Sequence, residues 1–140
     1  MKPEATSLAE ELKGNAHEQN AFRHACARYD DGDHEGGIKL LSAILRERPL
    51  HLGALKRLGY ALYSRKAYAL AASPLVSAAM LDASDPEPAY FAACCMIQSD
   101  TPELARSLLK ASEEIAGRSP LQSALGHRAR QLLATLPSSP

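Results

Sequence analysis

The chain has 140 residues, 46% of them hydrophobic, and its 16 Lys and Arg balance 16 Asp and Glu. That length buries a core without disulfide staples, and the neutral balance excludes the uniformly basic field with which nucleic-acid binders displace counterions. With 25 Ala and 21 Leu against 8 β-branched residues, the composition excludes a sheet protein and predicts an all-α chain.

In chain order, a short leading helix is predicted near residues 4–13, within an N-terminal segment 1–17. The start, Met1-Lys2-Pro3-Glu4, reaches Glu10 and Glu11 with no apolar run of secretory-signal length, so a cytoplasmic location is expected. Helices follow over 18–30 and 33–47, with Gly32 at the turn between them and Pro49 after the second. His24 and Arg28 occupy positions of the first that are usually apolar, which predicts a helix edge wet on one side. The next pair spans 51–64 and 67–81. The stretch from Ala67 to Leu81, uncharged for 15 residues, is too short to span a bilayer. It contains Pro74, whose missing amide and ring clash cost ~3 kcal/mol or bend the helix, here near Leu70.

A third pair covers 86–98 and 102–115. Ser84-Asp85-Pro86-Glu87 and Asp100-Thr101-Pro102-Glu103 introduce its helices, each with a cap, a proline at the first helical position and an acid in the first turn. Asp100 stands where a turn glycine is usual. Ser119-Pro120 opens a closing helix over 120–135, and 137–140 reads as a flexible tail. Cys26, Cys94 and Cys95, without CxxC spacing, are expected to be reduced thiols that pack as small hydrophobes.

The pairs are copies of one unit. Shifting the chain by 34 residues aligns Ala25, Gly59 and Ala93, then Gly37, Ala71 and Ala105, then Leu41, Leu75 and Leu109. Two helices approach to about 8 Å only where neither presents a bulky side chain, and the small residues in register supply such places. The period is that of the tetratricopeptide repeat. The expected architecture is an α-solenoid of three tetratricopeptide (TPR) repeats, at about 18–50, 52–83 and 86–117, with a short leading helix and a C-terminal capping helix 120–135 in a repeat domain 18–136.

Such a solenoid has a concave groove lined by the first helix of each pair. Repeat positions 5, 9 and 12, spaced i, i+4, i+7 on one helical face, read Phe22, Cys26 and Tyr29; Lys56, Tyr60 and Tyr63; Tyr90, Cys94 and Ile97. Five of the seven aromatic residues fall on these nine positions, and Phe91 is adjacent. Leu55, Leu58 and Leu62 on the opposite face of the central helix already supply its core contacts, so these ten residues are the candidate peptide-binding site. Lys56 and Arg57 point toward the groove and are candidates for an acidic group of the partner. A segment covering about 100 Å² on each of six rings gains about 15 kcal/mol. Ordering about eight partner residues costs about 8 to 16 kcal/mol, so moderate and reversible binding is expected.

Catalytic and cofactor motifs are missing: no nucleophile elbow, Walker loop, GxGxxG or HExxH is present. His17 and His24 share nearly one helical face but have no third ligand in register, and Asp30-Asp31-Gly32-Asp33 lacks the glutamate that closes a calcium loop. No enzyme activity, metal or cofactor is expected.

The stretch Ala79-Met80-Leu81-Asp82-Ala83-Ser84-Asp85-Pro86-Glu87-Pro88-Ala89-Tyr90-Phe91, followed by Ala92-Ala93-Cys94-Cys95 and Glu103-Leu104-Ala105-Arg106, resembles the third repeat of the class II chaperones of bacterial type III secretion. That resemblance implies a cytosolic chaperone whose groove receives an extended segment of a hydrophobic, membrane-inserting translocator and keeps it soluble. It also implies a homodimer formed with help from the N-terminal region, with Phe22, Tyr29, Tyr60, Tyr63, Tyr90 and Ile97 lining the pockets. Neither nucleic acid nor direct membrane binding belongs to this reading. The alternatives are a TPR adaptor in a larger assembly and the related needle-subunit chaperone, each holding a helical partner.

Overall fold

The structure, a computed structural model, describes residues 3–137, with side chains from Ala16 onward. The dimer contact expected within 1–17 and the tail expected at 137–140 lie, apart from Ala16, His17 and Pro137, outside the described side chains. Among the described residues there are seven α-helices, one 3-10 turn and no strand. They are α1 (Pro3–Asp30), α2 (His34–Glu47), α3 (Leu52–Ser64), α4 (Tyr68–Leu81), α5 (Glu87–Gln98), α6 (Pro102–Ala116), the turn Pro120–Gln122 and α7 (Ser123–Thr135).

The sequence separates a leading helix from the helix over 18–30, but α1 runs unbroken from Pro3 to Asp30. Gly14 falls within it, and a glycine inside a helix costs only about 1 kcal/mol. The other helices start and end within two residues of the ranges read from the sequence, except that α7 is preceded by the 3-10 turn.

The chain forms two compact units, a first ending at Ala54 and a second beginning at Leu55. In the first, α2 folds back on α1. Contact is closest at Gly37, where a Cβ would lie 2.7 Å from Tyr29 Cβ, and Ala25 and Leu41 are fully buried beside it. Asp33 caps α2 by accepting from the Gly36 amide at 3.0 Å, and its carboxylate also pairs with the Arg28 guanidinium. His24 and Arg28 face solvent, as a wet edge requires.

In the second unit α4, α5, α6 and α7 pack in succession. Gly59 of α3 fits against α4, where a Cβ would lie 2.5 Å from Leu75 Cδ2. Two clusters make the core: Ala71, Leu75, Ala92 and Cys95, and then Ala93, Ala105, Leu109 and Ala129. All the small residues and leucines aligned by the 34-residue shift are buried. Pro74 is buried inside α4, which remains one helix, since a proline removes a single amide from the ladder.

The turns repeat with the same period. Gly32, Lys66 and Asp100 each have φ near the left-handed region, at 103°, 63° and 62°. The next residue in each case donates its amide back across the turn, Asp33 to Arg28 at 3.0 Å, Ala67 to Leu62 at 2.9 Å and Thr101 to Met96 at 2.8 Å. This six-to-one bond satisfies a carbonyl at the helix C-terminus and fixes the reversal of direction.

Between α4 and α5 the chain is held by side chains. The Asp82 carboxylate accepts from the Ser84 amide at 3.1 Å and hydroxyl at 2.6 Å, Asp85 accepts from the Glu87 amide at 3.0 Å, and buried Ser112 donates to the Pro86 carbonyl at 2.9 Å. Pro86 is therefore the residue before α5 rather than its first helical residue, and Pro88 occupies the first turn.

Candidate functional site

In the second unit, α3 and α5 bring four of the expected aromatic residues together. Phe91 is the hub. Its ring lies edge-to-face with Tyr63 at 5.0 Å, Tyr90 at 5.3 Å and Tyr60 at 5.7 Å between centroids. Tyr68, at the start of α4, extends the row through Tyr63 at 5.5 Å. Tilted rings at these distances set the positive edge of one against the negative face of the next, worth about 0.5–1.5 kcal/mol per pair beyond area burial.

All five rings are half-buried. Their inner edges rest on the Ala71, Leu75, Ala92 and Cys95 core and, for Tyr90, on the Ala93 and Leu109 core. The sequence assigns core contacts to the opposite face, that of Leu55, Leu58 and Leu62. The structure corrects this: one aromatic face both closes the core and meets solvent. Ile97 likewise packs on the Ala93, Ala105 and Leu109 cluster.

The polar tips are tuned by burial. The Tyr60 hydroxyl is buried without an acceptor in hydrogen-bond geometry, and burial together with the Asp85 and Glu87 charges raises its pKa well above the usual phenol value. Burial, then the neighbouring Cys94, pushes Tyr63 up to about 12. Burial also raises Tyr90 and the Cys94 thiol, which faces the hydroxyls of Tyr63 and Tyr90. Cys95 lies beneath, its thiol pushed up to about 11 by burial. At neutral pH these groups are uncharged, and the surface presents rings, one thiol and neutral hydroxyls.

Lys56 is placed differently from the expectation. Its ammonium donates to Asp85 at 2.8 Å and Asp82 at 3.1 Å, so it anchors the loop before α5 instead of awaiting an acidic partner group. These carboxylates hold the Lys56 pKa up against the lowering effect of burial, while Ser84 and Lys56 hold Asp82 down to about 2. Arg57 also interacts within the chain.

The first-unit candidates are half-buried. Phe22 packs on His51, centroids 5.0 Å apart, and against Gly53, while Tyr29 packs on His34 at 4.5 Å. Cys26 lies between them along α1. Sequence reasoning missed Arg128 of α7, whose guanidinium stands 5.4 Å from the centroid of the Tyr90 ring. The available signal was charge: residues 115–140 contain three basic residues and no acid.

No protein-family model and no curated protein matches the sequence. Solved structures do match. A type III secretion system complex from Aeromonas hydrophila aligns at TM-score 0.73 and 22% identity, covering 85% of this chain and 79% of that one. The translocator chaperone SycD of Yersinia enterocolitica aligns at TM-score 0.71 and 22% identity, covering 83% and 80%. PcrH of Pseudomonas aeruginosa, in complex with the chaperone binding region of PopD, aligns at TM-score 0.70 and 22% identity, covering 83% and 87%. The architecture is thus an all-helical, tetratricopeptide-like one. More narrowly, it is the fold of the type III secretion translocator chaperones.

Proposed function

We propose that this chain is a cytoplasmic type III secretion chaperone that holds a segment of a hydrophobic translocator and keeps it soluble until secretion. The observation that carries the reading is the half-buried aromatic row of Tyr60, Tyr63, Phe91 and Tyr90 on this fold. A surface of neutral rings with a few polar tips suits an apolar segment, because rings offer large contact area at little entropic cost. SycD in complex with a peptide of the translocator YopD, and PcrH with regions of PopD and PopB, support a translocator as partner. Phe22, Cys26 and Tyr29 of α1 are further contacts for the segment in this reading, within a repeat domain over 18–136, and the N-terminal segment 1–17 serves a homodimer. No helix among the described residues is long and apolar enough to cross a membrane. The chain acts by binding alone, without catalysis or cofactor.

The test is co-expression with each genomic neighbour in turn, followed by affinity purification; the partner this reading requires is a neighbour with two long hydrophobic segments. The neighbour is expected to co-purify with the wild-type chain. Tyr60→Ala with Tyr63→Ala removes about 200 Å² of ring contact, a gross loss of about 5 kcal/mol, and should abolish co-purification. A melting curve is recorded beside it, because the same rings support the core. A folded double variant that binds normally refutes the face.

A further inference from the structure

The aromatic row has opposite charges at its two ends. At the Tyr60 end stand Asp82, Asp85 and Glu87, with Lys56 to offset only one of the three carboxylates. At the Tyr90 end stands Arg128, exposed on α7 with its guanidinium over the ring. The other arginines of this region are engaged: Arg106 on the Pro137 carbonyl, Arg118 on Glu114 at 3.3 Å and Arg130 on Glu113 at 2.9 Å. Among the described residues Arg128 has no carboxylate partner, and residues 115–140 contain no acid that could supply one.

The Tyr90 ring and hydroxyl restrain the guanidinium, which keeps further donors of its planar fork for a carboxylate. Resting on the peptide-face reading, we infer that Arg128 receives a carboxylate of the bound segment. The occupant is therefore an apolar polypeptide segment with an acidic residue beside its ring-contacting stretch, and neutral or basic where it passes Asp85 and Glu87. Charge at the two ends then fixes the direction in which the segment lies, while the rings supply contact area.

The probes are overlapping 15-residue peptides covering the hydrophobic protein that co-purifies with the chain, bound in solution to the full-length chain. Wild type is expected to retain a window whose apolar stretch adjoins a Glu or Asp. Replacing that acid by Lys should weaken binding about tenfold, more at low salt. Arg128→Glu should weaken the native window to a similar degree and restore the Lys-substituted one, and Arg128→Gln should bind both alike. Circular dichroism confirms that these surface variants remain folded. If Arg128→Glu binds every window as wild type does, or the paired charge reversal restores nothing, the carboxylate assignment is overturned while the peptide face stands. If no window binds wild type, the face itself fails and this inference falls with it.

Discussion

Helices α1 and α5 both carry a ring at repeat position 5, Phe22 and Tyr90, yet the first pairs with a histidine and the second joins a row of aromatic rings. Phe22 and Tyr29 each pair with a histidine of their own unit, His51 and His34, whereas Tyr90 connects through Phe91 to two tyrosines of α3. The residue after position 5 decides the difference. It is Arg23 in the first repeat, Arg57 in the second and Phe91 in the third. The 34-residue frame fixes where each helix places its side chains, and a single departure from the frame determines whether those side chains form a continuous surface.

The frame itself is broken most severely at Gly59. A single Cβ there would already lie 2.5 Å from Leu75 Cδ2, so Gly59→Leu should drive α3 from α4 and destabilise the chain by about 3 kcal/mol. Thermal or urea unfolding checks it, and an unchanged midpoint would mean that this contact does not hold the pair together. The feature specific to the third repeat is broken next. Phe91→Ala removes the hub of the row and should cost about 2 to 3 kcal/mol, somewhat below a fully buried phenylalanine because the ring is half-exposed. It should also lower translocator affinity. Phe22→Ala, whose ring pairs with His51 and not with the row, should leave the row intact, which near-ultraviolet circular dichroism of the tyrosines can read.

Much of the frame was legible because close helix packing demands small residues at fixed intervals, and Ala25, Gly59 and Ala93 satisfy that demand in register. The aromatic positions were legible for the same reason. Lys56 was not, because its partners Asp82 and Asp85 lie 26 and 29 residues away on a loop whose path depends on the Asp82 and Asp85 turns. Arg128 was hidden because its role comes from α7 packing beside α5, a contact outside the repeat. The continuity of α1 was missed because the repeat frame, which starts near residue 18, marks where the repeats begin and not where a helix begins.

A subtler comparison lies in the second small position, glycine in the first pair and alanine at Ala71 and Ala105. Alanine is the better helix former by about 1 kcal/mol. At Gly37, though, a Cβ would meet the Tyr29 Cβ at 2.7 Å and its backbone nitrogen and Cα at 3.0 Å, so backbone rather than a flexible side-chain end would have to move. Gly37→Ala should therefore destabilise the chain by about 1 to 2 kcal/mol despite its gain in propensity. A stabilised variant would show that α1 and α2 approach no more closely than the later pairs.

The smallest expected effect has the opposite sign. Gly32, Lys66 and Asp100 occupy the same left-handed turn, and only the first is the residue type that adopts this conformation without steric cost. A Cβ there crowds the following carbonyl by about 1 to 2 kcal/mol, and the added freedom of a glycine in the unfolded chain offsets part of that. Lys66→Gly should thus stabilise the protein by about 0.5 to 1 kcal/mol. Asp100→Gly should gain less, since aspartate tolerates the left-handed region better than lysine. Gly32→Ala should lose a similar amount even though nothing lies within 4 Å of its missing Cβ, because the cost is in the backbone rather than in a contact. Urea midpoints of the three variants, measured together, separate these signs. If Lys66→Gly and Gly32→Ala shifted stability in the same direction, the common geometry of the turns at Gly32, Lys66 and Asp100 would be refuted.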